Sequence, residues 1–217
     1  MLQKSCLICG SENLVKILDL GMQPFADTFI SEAKFHESEP IYPLACNLCL
    51  ECGQVQNVCL TKPEERYNLN DYSYTSSNSD FSRNHWESYA KEVSKNVNLK
   101  ENAFVIEVGS NDGFLSEQFL KSGNKVLGVD PSKYMVNLAK ERGVETINAL
   151  FNLDSAENIL ELHGKADLIV ANNVFNHSNE PLNFAKAAYK LLKKDGTFVY
   201  EMPYWLISLE TKKFDQI

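Results

Sequence analysis

Short apolar runs alternate with amphipathic stretches along the second half of the chain. The runs are Phe104–Gly109, Lys125–Asp130, Ala166–Ala171 and Gly196–Glu201. Between them, helical patterns lie near Gly113–Ser122, Lys133–Arg142, Asn152–Leu162 and Pro181–Lys194. Strand-length apolar runs separated by helix-length segments are the pattern of βαβ units, since each parallel strand needs a crossover to reach the next. They predict an α/β core, a parallel sheet with helices on both faces. An earlier helical pattern from about Asp80 to Val97 carries Phe81, Trp86, Tyr89 and Val93 near helical spacing. It follows a polar, aromatic stretch beginning at Tyr67, and the two together predict a linker and docking helix. Residues 1 to about 60 are rich in Cys, Pro and short irregular runs and predict a loop-rich segment. The expected organisation is a small domain over 1–66, a linker and docking helix over 67–100, and the α/β core over 101–217.

Charge narrows the partners. The net charge of -8 supplies no basic stripe, which argues against nucleic acid, whose affinity is driven by clustered Lys and Arg. The N-terminus lacks the apolar stretch of a signal peptide, and no later run is long enough to span a bilayer. A cytoplasmic protein with no membrane partner is expected. In a reducing compartment cysteines grouped near one end suggest a metal rather than disulfides.

Cys6-Leu-Ile-Cys9-Gly10 and Cys49-Leu-Glu-Cys52-Gly53 are two copies of C-x-x-C-G. Each places two thiolates on one tight turn, and four thiolates suit a tetrahedral zinc ion. The glycine can take positive φ, which turns backbone N–H groups toward the sulfurs. That favours Cys6, Cys9, Cys49 and Cys52 as ligands over a set containing Cys46, although Cys46 is near enough in sequence to substitute. The competing readings are a redox C-x-x-C pair and unliganded core cysteines. Four protein ligands leave no open position, so such a metal is structural.

Glu107-Val-Gly109-Ser-Asn111-Asp-Gly113 follows an apolar strand and opens a helix, where glycines let backbone approach a ligand at the carboxyl edge of a sheet. One βαβ unit later, Asp130-Pro131-Ser ends a second strand with an acidic residue that can accept hydrogen bonds from both ribose hydroxyls of a nucleoside. Asn111 replaces the second glycine of the dinucleotide G-x-G-x-x-G pattern, which points away from NAD. Phe151 stands where the third strand is expected to end and could stack on adenine. Asn172 and Asn173 end the fourth strand, with His177 just beyond. The plainer alternatives are two ordinary βα turns and a capped, solvated His177.

Taken together, the two C-x-x-C-G turns, Val55-Gln56, Tyr72-Ser-Tyr74-Thr-Ser-Ser, the Glu107-to-Gly113 loop and Asp130-Pro-Ser resemble the zinc-containing sugar C-methyltransferases over the whole chain. The resemblance implies a Rossmann-like class I methyltransferase core that binds S-adenosylmethionine. It also implies a nucleotide-linked keto-deoxysugar substrate, methylated on carbon after loss of a proton alpha to the ketone. Base candidates are His177, Tyr72, Tyr74 and Glu201; the tyrosines could equally serve as aromatic packing.

In that family the tetrapeptide Phe214-Asp215-Gln216-Ile217 runs on into a segment carrying catalytic Tyr and His residues, and then into a second α/β domain. The chain is therefore expected to be the N-terminal half of the family's fold, its core truncated before its last strands. The Thr197–Glu201 strand would then be an open edge inviting a partner chain or self-association. Methylation of oxygen or nitrogen, or service as the non-catalytic zinc-bearing half of a two-chain enzyme, are the alternative functions.

Overall fold

A computed structural model describes residues 2–26, 30–67 and 74–213. The chain forms two compact units, residues 1–73 with 179–182 and 204–217, and residues 74–178 with 183–203.

The first unit is built on an antiparallel sheet ordered β1 (Leu14–Gln23), β2 (Tyr42–Cys49) and β3 (Val55–Asn57). Where composition predicts loops, the structure has strands, and the reason lies in β1. Its register against β2 shifts between Lys16 and Leu18 and again between Asp19 and Met22. Such irregularities break the alternation by which a strand is recognised, and every β1 residue stays at least partly exposed. β2 and β3 hold Leu48 opposite Val55, with Cys49 as the last residue of β2 and Cys52 in the turn that joins the two strands. A short helix, α1 (Pro63–Tyr67), follows.

The second unit begins with α2 (Asp80–Asn96), capped by Ser79, whose hydroxyl accepts the Ser82 amide at 3.1 Å. The elements then alternate: β4 (Phe104–Val108), α3 (Phe114–Lys121), β5 (Lys125–Asp130), α4 (Lys133–Glu141), β6 (Thr146–Asn148), α5 (Leu153–His163), β7 (Ala166–Asn172), α6 (Pro181–Leu191) and β8 (Leu192–Glu201). The last helix, α7 (Trp205–Glu210), falls within the first unit. The five strands are parallel in the order β6-β5-β4-β7-β8. Chain order reverses between β4 and β7, which makes their carboxyl ends the switch point where open α/β sheets bind ligands.

Side chains leave a strand on alternate faces, and both faces are covered. Ile106, Val108 and Ile169 pack in one core with Ile159 of α5 and Phe184 of α6. Val105, Leu168 and Val170 pack on the other face with Phe119 of α3 and Ala90 and Val93 of α2. The helix after residue 80 is thus part of this unit's core.

Two boundaries differ from expectation. Lys193 and Lys194 lie in β8 rather than at the end of a helix, because the strand starts directly after Leu191 and pairs Leu192 with Ala166. β6 ends at Asn148, three residues before Phe151. Among the described residues β8 pairs on one side only, and no helix is long and apolar enough to cross a membrane.

Candidate functional site

In the first unit the two C-x-x-C-G turns meet. The amide of Gly10 donates to the Cys6 carbonyl at 3.0 Å and that of Gly53 to the Cys49 carbonyl at 2.9 Å, with the glycines at φ 75° and 76°. The Ile8 amide points at Cys6 Sγ, 3.4 Å away. Cys6 and Cys52 Sγ are 3.6 Å apart, as are Cys9 and Cys49 Sγ, and all four sulfurs lie within 4.8 Å of one another. A zinc ion bonded to four sulfurs at about 2.3 Å requires sulfur separations of about 3.8 Å, so the donor set fits it. Cys46 stays outside the cluster: its thiol faces Asn57 Oδ1 at 3.4 Å, and burial pushes it up to about 11.

Gln56 holds the first turn. Its Oε1 accepts the Leu7 amide at 2.9 Å and its Nε2 donates to the Ser5 carbonyl at 3.0 Å, from a buried place on β3. The sequence marks Gln56 only as part of a motif.

In the second unit the candidate cofactor residues gather at the carboxyl ends of β4, β5 and β7. Gly109 has φ 68°, and a Cβ there would lie 2.2 Å from Val174 Cγ2, so the position admits no side chain. Gly113 caps α3 at φ 76°, against Ala139 of α4. Asn111 takes φ 49°, the left-handed conformation that asparagine tolerates better than most residues. Asp130 is buried, its Oδ2 accepting the Asn111 amide and its Oδ1 the Ser132 amide, each at 2.9 Å. Burial raises its pKa while the two amides oppose the rise. They also orient the carboxylate without exhausting its acceptor capacity. Beside Asp130, the Pro131 carbonyl accepts from Asn148 Nδ2 at 2.8 Å.

Glu107 is buried beneath the loop and accepts from the Ser116 hydroxyl. Burial pushes its carboxyl up to about 8, partly offset by the Ser116 hydroxyl and amide and reinforced by Asp112 and Asp130. Phe151 is partly buried, edge-on to Phe184 with ring centroids 4.8 Å apart. Asn172 Oδ1 accepts from the Tyr89 hydroxyl at 2.8 Å. Asn173, at φ 54°, donates from Nδ2 to Glu201 Oε1 at 2.9 Å. His177 is exposed in a single 3-10 turn, its Nε2 3.5 Å from Asn176 Nδ2. Tyr72 lies outside the described residues.

Composition gave no sign of what holds Tyr74 and the residues after it. Asn111 Nδ2 donates to the Tyr74 carbonyl at 2.9 Å, and Asn111 Oδ1 accepts the Ser76 amide at 2.8 Å. Next to it Asp112, only 2% exposed, accepts from both the Ser76 and Ser77 hydroxyls and from Arg142, the last at 3.2 Å. Arg142 also donates to Ser77 Oγ at 2.8 Å and lies over the Phe114 ring. Residues 74–77 are thereby strapped to the glycine loop, with the Tyr74 ring half-exposed beside it.

A family model described as "Putative zinc binding domain" matches residues 6–67, and one described as "Methyltransferase domain" matches residues 81–216. The C-methyltransferase NovU of Streptomyces niveus is 28% identical over 212 residues, covering 98% of this chain and 50% of that protein. A ubiquinone biosynthesis O-methyltransferase of Hydrogenovibrio crunogenus is 29% identical over 98 residues, 44% of this chain and 41% of that protein. The chain spans about half the length of the curated relatives it matches. Among solved structures, SAM-bound CalS10 from Micromonospora echinaspora, an amino pentose methyltransferase, is 21% identical with a TM-score of 0.47, covering 55% of this chain and 51% of that one.

Proposed function

This chain belongs to the methyltransferase-domain family, and we propose that it binds S-adenosylmethionine at the carboxyl edge of its parallel sheet and serves methylation of a carbon atom in a nucleotide-linked keto-deoxysugar. The observation that carries the cofactor assignment is the pairing of Asp130 with the Gly109–Gly113 loop at the switch point of the sheet. Asp130 would accept the ribose hydroxyls, Asn111 and Gly113 would shape the loop, and Asn172 and Asn173 would border the methionine end. Phe151, partly buried against the core and edge-on to Phe184, would lie beside adenine.

The cofactor supplies an electrophilic methyl group. Carbon methylation then asks of the chain a base beside the substrate and a fixed approach, with positioning contributing most. His177 follows the end of β7, Glu201 is the last residue of β8, and Tyr74 is strapped to the loop, so these three, with Tyr72, are the base candidates. The substrate class follows the motif resemblance. The carbon acceptor is supported by the similarity to a C-methyltransferase, which extends through the zinc unit as well as the methyltransferase core.

Methylation of oxygen is the second reading, favoured by the O-methyltransferase relative, whose similarity covers 44% of the chain. Incubation with methyl-labelled S-adenosylmethionine and a nucleotide-linked keto-deoxysugar separates the two. Label that resists cleavage by hot hydriodic acid and shows the carbon-13 shift of a carbon-bound methyl supports carbon transfer; label released as iodomethane, the mark of a methyl ether, overturns it. A partner chain or a second copy pairing along β8 is the proposed association, since that edge is unpaired among the described residues.

A further inference from the structure

At the carboxyl edge of the sheet three polar side chains follow apolar ones by two residues on the face covered by α2. Val105, Val170 and Val199 pack with the α2-side core, which puts Asn172 and Glu201 in a row on that face, with Glu107 on the same face one step back, level with Val170. Tyr89 of α2 packs against the same core and brings its hydroxyl to the row, donating to Asn172 Oδ1 at 2.8 Å. The other half of that amide is unanswered: Asn172 Nδ2 is buried and has no hydrogen-bond partner among the described residues. An amide is planar, so engagement of Oδ1 by Tyr89 turns Nδ2 away from α2. A buried donor left without an acceptor costs more than an ordinary hydrogen bond contributes, and folded proteins tolerate it chiefly where something else completes it. Its neighbour differs, because Asn173 Nδ2 is satisfied by Glu201.

We propose that Tyr89 is a positioning residue of the cofactor site, holding the Asn172 amide in the one orientation in which Nδ2 donates to an acceptor atom of the bound nucleoside cofactor. The inference rests on the cofactor reading given above and adds a residue on a helix that none of the site motifs includes. Burial, with Glu201 and Glu107 close by, pushes the Tyr89 hydroxyl up to about 12, so it remains a donor throughout the neutral range.

The test is calorimetric titration of the zinc-loaded full chain with S-adenosylhomocysteine, using wild type, Tyr89→Phe, Asn172→Ala and the double variant. Tyr89→Phe is expected to weaken binding about tenfold, equivalent to about 1.4 kcal/mol. The double variant is expected to bind no more weakly than Asn172→Ala alone, because the tyrosine acts only through the amide. Wild-type affinity in Tyr89→Phe, or losses that add in the double variant, overturns the inference even if the melting temperature falls. Asn172→Asp provides a second check: it keeps the Tyr89 acceptor and removes the Nδ2 donor, so unchanged affinity there also overturns it. Absence of binding by the wild type overturns instead the cofactor reading on which the inference depends.

Discussion

Asn111 holds Ser76: its Oδ1 accepts the Ser76 amide at 2.8 Å while its Nδ2 reaches the Tyr74 carbonyl at 2.9 Å. One side chain at a left-handed loop position thus does two things, shaping the glycine loop and tying residues 74–77 to it. Asn111→Gly separates these roles, since glycine adopts the same backbone freely but carries no amide. The variant is expected to fold, to show faster hydrogen exchange at Ser76, and to bind S-adenosylhomocysteine several-fold more weakly. Unchanged exchange at Ser76 would show that Asp112 and Arg142 hold the strap without Asn111.

Gly109 and Val174 form a second close fit. A methyl group at Gly109 meets Val174 Cγ2 at 2.2 Å on a backbone with φ 68°. Gly109→Ala is expected to lower stability by about 2 kcal/mol through overpacking and strain. Val174→Ala in the same chain should restore part of that loss by removing the steric component. Urea denaturation of the two variants measures it, and the absence of any recovery would place the whole cost in the backbone.

The zinc turn depends on a residue that binds no metal. Gln56→Ala removes the acceptor of the Leu7 amide and the donor to the Ser5 carbonyl. Loss of such supporting contacts typically weakens metal sites by about 10- to 100-fold. Competition with a chromophoric chelator should show a loss of that size, with four thiolates still bound per zinc. Cys46→Ala should leave zinc affinity unchanged, and a fall there would contradict the assigned ligand set.

Glu107 sets a pH dependence. Its folded pKa of about 8 stands above the ordinary carboxylate value, so the native state keeps a proton that the unfolded chain releases. Stability contributed by this group therefore falls as pH rises from about 4.3 toward 8. Glu107→Gln cannot titrate, yet its amide oxygen can still accept from Ser116. The variant should match the wild type near pH 4 and exceed it by about 2 kcal/mol or more near pH 9, as followed by thermal melting. A difference independent of pH would show that Glu107 is not protonated in the native state.

The legible features were those in which chemistry and spacing are local. Each C-x-x-C-G turn carries its own two ligands and its own glycine, and Asp130 ends its own strand. Unread were contacts that only the topology creates: Gln56 with Leu7 across 49 residues, Arg142 with Ser77 across 65, and Tyr89 with Asn172 across 83. Each joins residue types common on any protein surface, and no period or spacing marks them. β1 was missed for a different reason, because its register shifts break the alternation that announces a strand. Phe151 shows the limit of counting from a motif. It lies close to the predicted strand end, but the strand stops at Asn148 and the ring turns toward Phe184.

The most direct test of the central claim is titration of the zinc-quantified chain with S-adenosylhomocysteine in wild type and Asp130→Ala. Asp130 is the acceptor assigned to the ribose, held in place by the Asn111 and Ser132 amides. Binding by the wild type, weakened at least about 100-fold in a variant that still melts cooperatively, is the predicted result, in line with about 3 kcal/mol for hydrogen bonds to a charged group. Equal binding by both chains, or none by a folded wild type, would contradict the assignment of a nucleoside cofactor to this edge of the sheet.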